Sequence, residues 1–394
     1  MSKKPNATLN IFQQSILWIS RIFVGLLFIF SGLIKANDPI GFGYKLQEYW
    51  VVFGTDFLMP HSATIAIVIC ALEILLGALL LLGFYRRIVA WGLLLLIIFF
   101  TFLTFYSAFF EVVTSCGCFG DAIPLTPWES FIKDLILLAF ILVIFVWRAH
   151  IRPVTTDRQT MAITTAALVV ISLGTGVYTY NFLPVIDFLP YKKGNNIPEL
   201  MVLPEGAEPD QYEIMYTLKH QDTGEERTMS DQAYLDEGIW QDEKWEIIGE
   251  PTNRLLKKGY TVPITDLMIM DEHGEDHTQN IITNPYYNLI IVAYDLEATN
   301  KAALAKINEL VREAATMYNI RAVLLTSASS QAALTLSREL DLLAEVFYAD
   351  AVPLKSMVRA NPGVMLMQNG VIIDKWHHHT VPDFERLEEE YLDN

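Results

Sequence analysis

Apolar residues are gathered into long unbroken runs in the first half of this chain and into short alternating or periodic segments in the second. A helix needs about 20 apolar residues to cross a hydrocarbon core. Five runs approach or exceed that length: residues 11–33, 62–82, 88–110, 131–147 and 161–183, the fourth being the shortest. The first run is too long for a cleaved signal peptide, contains Arg21 and has no small-residue cleavage site, so it is expected to stay as an anchor. Lys3 and Lys4 precede the first run, Arg86 and Arg87 fill the connection between the second and third, and Arg148, Arg152 and Arg158 lie between the fourth and fifth. The positive-inside rule places all three groups in the cytoplasm. A multi-pass protein of the bacterial cytoplasmic (inner) membrane is therefore expected, with its amino terminus inside and the residues after about 184 in the periplasm.

The second half reads as mixed α and β structure. Residues 184–198 are a linker rich in Pro, Gly and Asn. Residues 212–218 and 245–248 have strand character, with turn chemistry at Asp222-Thr223-Gly224-Glu225. Further on, 267–274 reads as a hairpin, 287–294 as a buried strand, 300–318 as a helix, 321–326 as a strand, 329–340 as a helix and 345–348 as a short strand. Two more strands, 364–368 and 371–376, flank the hairpin signal Asn369-Gly370, and a last helix begins near Pro382. The expected architecture is an α-helical membrane bundle, four core helices plus a fifth, followed by an extracytoplasmic α/β domain with a small β-rich module. Its parts are the bundle at 1–150, the fifth helix and linker at 151–196, the β-rich module at 197–258 and the α/β domain at 259–394.

Charge divides along the same line. Residues 1–160 hold 11 Lys and Arg against 9 Asp and Glu, whereas the remainder holds 17 against 36. An acidic outer half disfavours nucleic acid as a partner, because a polyanion is bound by basic patches. The lipid bilayer is the one certain partner on this reading, and an envelope protein is a second.

Two charged residues stand near mid-membrane depth by helical rise, Arg21 in the first helix and Glu73 in the second. Ionised groups there normally face a partner or a water-filled cavity, which predicts an Arg21–Glu73 pair inside the bundle. Arg21, Gly25, Phe28, Gly32 and Lys35 share one helical face, expected to point inward. Cys70 lies in the second helix as a packed core thiol.

Candidate chemistry concentrates in Ser115-Cys116-Gly117-Cys118-Phe119-Gly120-Asp121, which holds two of the three cysteines. Thiols one residue apart can close a strained, reducible ring, or serve as a passive cystine or as two reduced, packed thiols. A nearby Lys raises the thiolate fraction, and Asp121 opposes it.

Arg21, the Gly32-x-x-Lys35-x-x-Asp38-Pro39 turn, Glu73 and Cys116-Gly117-Cys118-Phe119-Gly120 followed by Trp128 and Lys133 resemble the DoxX family and its relative MauE, over about the first 150 residues. The resemblance implies a four-helix membrane bundle linked to thiol maturation or quinol-associated redox chemistry. A quinone is then a possible electron acceptor, although the sequence holds no signature for one and no other cofactor is evident. The order of elements from 259 onward resembles the thioredoxin fold. That likeness implies a cis Pro362 in Asn361-Pro362-Gly363 and a partner-binding edge there. The domain has no cysteine: Ala293-Tyr294-Asp295-Leu296-Glu297-Ala298-Thr299-Asn300 stands where active members carry Cys-x-x-Cys.

The functional expectation is a membrane thiol-redox or electron-relay protein. Cys116 and Cys118 are its catalytic pair, Arg21, Lys35, Asp38, Glu73, Asp121 and Lys133 are in support, and Pro362 stands in the docking domain; both outer modules are expected to touch the Cys loop. The alternative is a non-catalytic, membrane-anchored scaffold binding envelope proteins; transport has only Arg21 and Glu73 behind it. His377-His378-His379 is read as exposed strand-edge histidines, with His377 and His379 on one face and no metal site.

Overall fold

A computed structural model describes residues 9–110, 112–113, 117, 119–249 and 251–392. Cys116 and Cys118 lie outside the described residues, as do Lys3 and Lys4. Among the described residues five helical segments are long and apolar enough to cross a membrane: Ile11–Asn37, Asp56–Leu82, Arg86–Phe110, Pro127–His150 and Arg158–Asn181. Their main helices are α1 (Ile11–Asn37), α3 (Ser62–Leu82), α4 (Arg86–Phe110), α5 (Pro127–Trp147) and α6 (Arg158–Asn181). Between the first two spans lies a further helix, α2 (Pro39–Val52), where the sequence suggested only a turn. Asp38 starts it by accepting from the Gly41 N–H at 2.8 Å, with Pro39 in the first turn where its missing N–H costs nothing.

Of the expected inward face of α1, Gly25, Phe28, Gly32 and Lys35 are buried, while Arg21 is half-buried. Close approach of α1 and α3 rests on glycine. A Cβ on Gly77 would stand 2.7 Å from the backbone oxygen of Gly25, so any side chain there pushes the two helices apart.

The Arg21–Glu73 pair does not form. Arg21 donates instead to the backbone oxygens of Leu80 at 2.8 Å and Leu81 at 2.6 Å, and Glu73 pairs with Lys35. The reason is register. Gly25 packs on Gly77 and Gly32 on Cys70 and Glu73, so Arg21 stands level with the last turn of α3. There its guanidinium satisfies carbonyls that the helix end leaves open, while Glu73 lies about two turns further along. Cys70 is fully buried, as a core thiol should be.

Beyond the bundle, β1 (Gln211–His220) pairs antiparallel with β2 (Glu226–Ser230), β3 (Trp245–Ile247) and β4 (Thr252–Lys257). A second sheet has the order β7-β6-β5-β8-β9. Its strands β5 (Asn288–Val292), β6 (Arg321–Thr326) and β7 (Glu345–Tyr348) run parallel, and β8 (Gly363–Gln368) and β9 (Val371–His377) are antiparallel to their neighbours. Helix Lys301–Tyr318 follows β5 and helix Ser330–Leu340 follows β6, giving the crossover pattern of a thioredoxin-like domain with an added edge strand. The near-continuous apolar run of β5 is buried along its whole length, as a central strand covered on both faces must be.

Other segments also differ from the sequence reading. The segment 267–274 makes isolated bridges from Met270 to Asp276 and Tyr348 rather than a hairpin, because Asp271 Oδ1 gathers the N–H groups of His273 and Glu275 into a tight turn. Helix Ala351–Met357 had no expectation, being short and interrupted by Pro353. The linker at 184–198 is a strap on the domain. Gly194 donates to Ile372 O, Ile372 to Asn195 O and Ile197 to Gly370 O, while Tyr191 and Ile197 are buried in the domain core. Its Asn and Gly residues serve backbone pairing along β9 instead of freedom.

Candidate functional site

The two halves of the chain meet at a buried guanidinium. Arg359 follows helix Ala351–Met357, and its Nε donates to Asp38 Oδ2 at 2.8 Å. Its Nη1 donates to Lys355 O at 2.7 Å and its Nη2 to Asp121 Oδ2 at 3.2 Å. Asp38 thus caps α2 with one oxygen and binds the domain with the other. A Cβ on Gly41 would stand 2.4 Å from Asp38 Oδ2 and 2.8 Å from Arg359 Nη2, so glycine leaves the space in which they meet. Burial alone would lower the Arg359 pKa, but Asp38 and Asp121 outweigh it and hold the group above its ordinary value. Desolvation in this cleft raises Asp121, with Arg359 opposing.

Beside this junction Tyr44 of α2 donates to the Tyr294 hydroxyl at 2.9 Å. Lys355 lies 4.6 Å from the Tyr44 ring centroid and Arg359 5.5 Å, a cation–π cluster with the domain supplying the charge.

The glycine between the two cysteines is described. A Cβ on Gly117 would stand 3.2 Å from Lys45 Cγ, so Gly117 lies against the Lys45 stem on α2. Lys45 pairs with Glu48 at 2.8 Å. A cleft of about 450 Å³ runs between loop and domain, with Lys45, Gly117, Gly120, Asp121, Lys355 and Arg359 among its lining. Through Arg359 and Asp121 the thioredoxin-like domain touches the described end of the loop.

Lys35, Glu73 and Lys133 lie inside the bundle. Lys35 and Glu73 are an ion pair, each side chain 3% exposed or less, and Ser31 donates to Glu73 at 3.2 Å. Lys133 pairs with Asp134 at 2.5 Å, and Thr104 donates to the same carboxylate at 3.0 Å. The ring of Phe119, next to Cys118 in sequence, lies 5.3 Å from Lys133 Nζ. Both pairs and Phe119 line one enclosed space of about 20 Å³. Arg21 lies apart from this group, at the end of α3.

The thioredoxin-like domain turns a groove of about 1090 Å³ toward the bundle, where Tyr44, Tyr180 and Asn181 join its wall. The Asn361–Pro362 bond is cis, as its motif suggested, but Pro362 itself is buried and it is Asn361 that lines the groove, so the expected partner-binding position shifts to Asn361. Asp295 Oδ1 accepts from the N–H groups of Glu297 and Ala298, closing the loop where active relatives of this fold carry cysteines. His377, His378 and His379 converge here instead of alternating, with ring centroids 4.1–4.7 Å apart. Strand β9 ends at His377 and the chain turns, with Thr380 N–H donating to His377 O at 2.8 Å, so the two-residue period no longer applies. Burial pushes His377 down to about 3.

Sequence reasoning missed Arg359, Lys45, Asp134 and the Tyr44–Tyr294 contact as site residues. A signal existed for Asp134, an acidic residue within an apolar run beside Lys133, and for Lys45, three residues from Glu48 just after the Asp38 cap. Arg359 and Tyr294 carried none, since their partners are 321 and 250 positions away.

Residues 13–148 match the family model described as methylamine utilisation protein MauE. Protein TlpB of Flavobacterium psychrophilum is 29% identical over 133 residues, which cover 32% of this chain and 35% of that protein. The chain thus spans about a third of the length of this curated relative. No solved structure matches the chain. The molecule is a MauE-like membrane bundle with a downstream thioredoxin-like domain.

Proposed function

We propose that this chain is a membrane thiol-redox protein in which Cys116 and Cys118 exchange with a dithiol or disulfide of an envelope polypeptide docked on the cis-proline groove. The observation that carries the reading is Arg359, which ties the loop at Asp121 and the α2 cap at Asp38 to the domain bearing that groove. A partner strand laid along Asn361 is then delivered to the Cys loop by a domain that needs no cysteine of its own. In the exchange, a partner thiolate attacks the Cys116–Cys118 disulfide to give a mixed disulfide and one free thiol. The second partner thiol resolves it, so the partner is oxidised by two electrons and the Cys pair is left as a dithiol with two protons taken up. Lys45 favours the thiolate form at the loop and Asp121 disfavours it. In this reading residues after about 184 face the periplasm of a bacterial inner membrane, following the loop charges.

A quinone fits poorly. The space lined by Phe119, Lys35 and Lys133 holds about 20 Å³, and the groove of about 430 Å³ on α1 is lined by Trp18, Phe23, Leu26 and other apolar residues.

The scaffold reading is favoured by the cysteine-free loop at Ala293–Asn300. Thiol trapping of native membranes, with Cys118→Ser to hold mixed disulfides, separates the two. A trapped partner and a midpoint potential of roughly −120 to −270 mV support exchange. A pair that stays oxidised below about −300 mV, or never oxidises, leaves the scaffold.

A further inference from the structure

We propose that His377, His378 and His379 form a binding site for one divalent zinc-class ion at the junction of the thioredoxin-like domain with membrane helix α6. One ligand atom from each of the three lies within 4.8 Å of the others. Three nitrogen ligands to a tetrahedral ion of about 2.0–2.1 Å bond length need only a modest closure from that spacing.

The surroundings prepare the rings. His378 Nδ1 faces the carbonyl of Pro362 at 3.2 Å and His379 Nδ1 faces the carbonyl of Asn181 at 2.8 Å. Both nitrogens are therefore protonated donors, and each Nε2 carries the lone pair. His377 Nδ1 already presents a lone pair, used only in a 3.2 Å bond from the His379 N–H, which the ion would replace. A backbone carbonyl holding the far nitrogen is the arrangement that orients histidine ligands in metal sites. With three imidazoles and no thiolate, the donor set suits zinc, and copper or nickel by the same chemistry. The site opens on the groove that also carries Asn361, Tyr294 and Asp295, so a fourth ligand position faces whatever enters it. Asn181 is the last residue of α6, and the ion would therefore fasten the end of a membrane helix to the domain.

The test uses the full chain purified in detergent, stripped with chelator and titrated with Co²⁺. One equivalent is expected to bind with the intense visible absorption of a four-coordinate nitrogen site, to be displaced by Zn²⁺, and to raise the unfolding temperature. His378→Gln and His379→Gln, on the less buried side of the cluster, should each weaken Co²⁺ by roughly 100-fold or more, beyond the 10–100-fold typical of outer-shell changes. His277→Ala, in the separate Asp271, Glu275 and His277 cluster, should leave binding unchanged. No stoichiometric uptake, or uptake unaffected in both glutamine variants while they keep the unfolding temperature of the stripped parent, would overturn the proposal. Uptake lost in H277A places the ion at the other cluster and overturns it equally.

Discussion

Arg359 and Asp38 are separated by 321 positions and joined by a 2.8 Å ion pair whose side chains are 7% and 18% exposed. It fastens the thioredoxin-like domain to the turn between α1 and α2, with Asp121 of the Cys loop on the same guanidinium. Removing the cation strands carboxylates in a cleft shaped for it. Arg359→Ala is expected to weaken docking of the domain by about 1–3 kcal/mol, less than for a fully buried pair because Asp38 is 18% and Asp121 48% exposed and water screens what is left. Limited proteolysis at the strap, residues 184–198, should accelerate, with Arg359→Lys intermediate. Unchanged cleavage would show that the pair contributes nothing to docking.

The Tyr44–Tyr294 contact makes the same interface sensitive to alkali. Burial raises both hydroxyls above their ordinary pKa. A raised acid contributes stability fully below its unfolded value of about 10, and that contribution is lost as pH rises through the folded values. The domain should therefore loosen above about pH 10, followed by tyrosinate absorbance and proteolysis together. Tyr44→Phe should flatten that loss while costing about 1 kcal/mol at neutral pH for the missing hydrogen bond.

Inside the bundle, Lys35→Met should destabilise by about 3–5 kcal/mol because Glu73 is left buried without its cation. The double variant Lys35→Met/Glu73→Gln should recover most of that loss. Arg21→Gln shares no contact with Glu73, so its effect should add to that of Glu73→Gln within about 0.5 kcal/mol. Denaturation of the detergent-solubilised protein gives all of these values, and strong coupling of Arg21 to Glu73 would contradict the register described above.

If the proposed thiol exchange holds, charge near the loop should set the thiolate fraction. Lys45→Met is expected to slow alkylation of Cys116 and Cys118 at neutral pH, and Asp121→Asn to speed it. Alkylation rates across pH check both. Rates that move in the same direction would mean the side chains act through loop structure rather than charge.

Much of the architecture was legible because it is local. Five apolar runs become five spans, and the strands at Arg321–Thr326 and Glu345–Tyr348 fall where their apolar patterns put them. The Asn369-Gly370 pair becomes the turn between β8 and β9 for the same reason: its backbone conformation is a property of two neighbouring residues. The inward face of α1 followed from helical period alone.

Tertiary structure decided everything that depends on how elements slide and meet. The offset between α1 and α3 gave Glu73 to Lys35 and sent Arg21 to a helix end, although both charges stand at similar depth when each helix is counted from its own first residue. The end of β9 gathered three histidines that alternation would have split. The strap and Arg359 joined the domain to the bundle through contacts between residues far apart in the chain. Periodicity reports which face of an element is buried, but not against which neighbour or at what register; those are set by packing across the whole molecule.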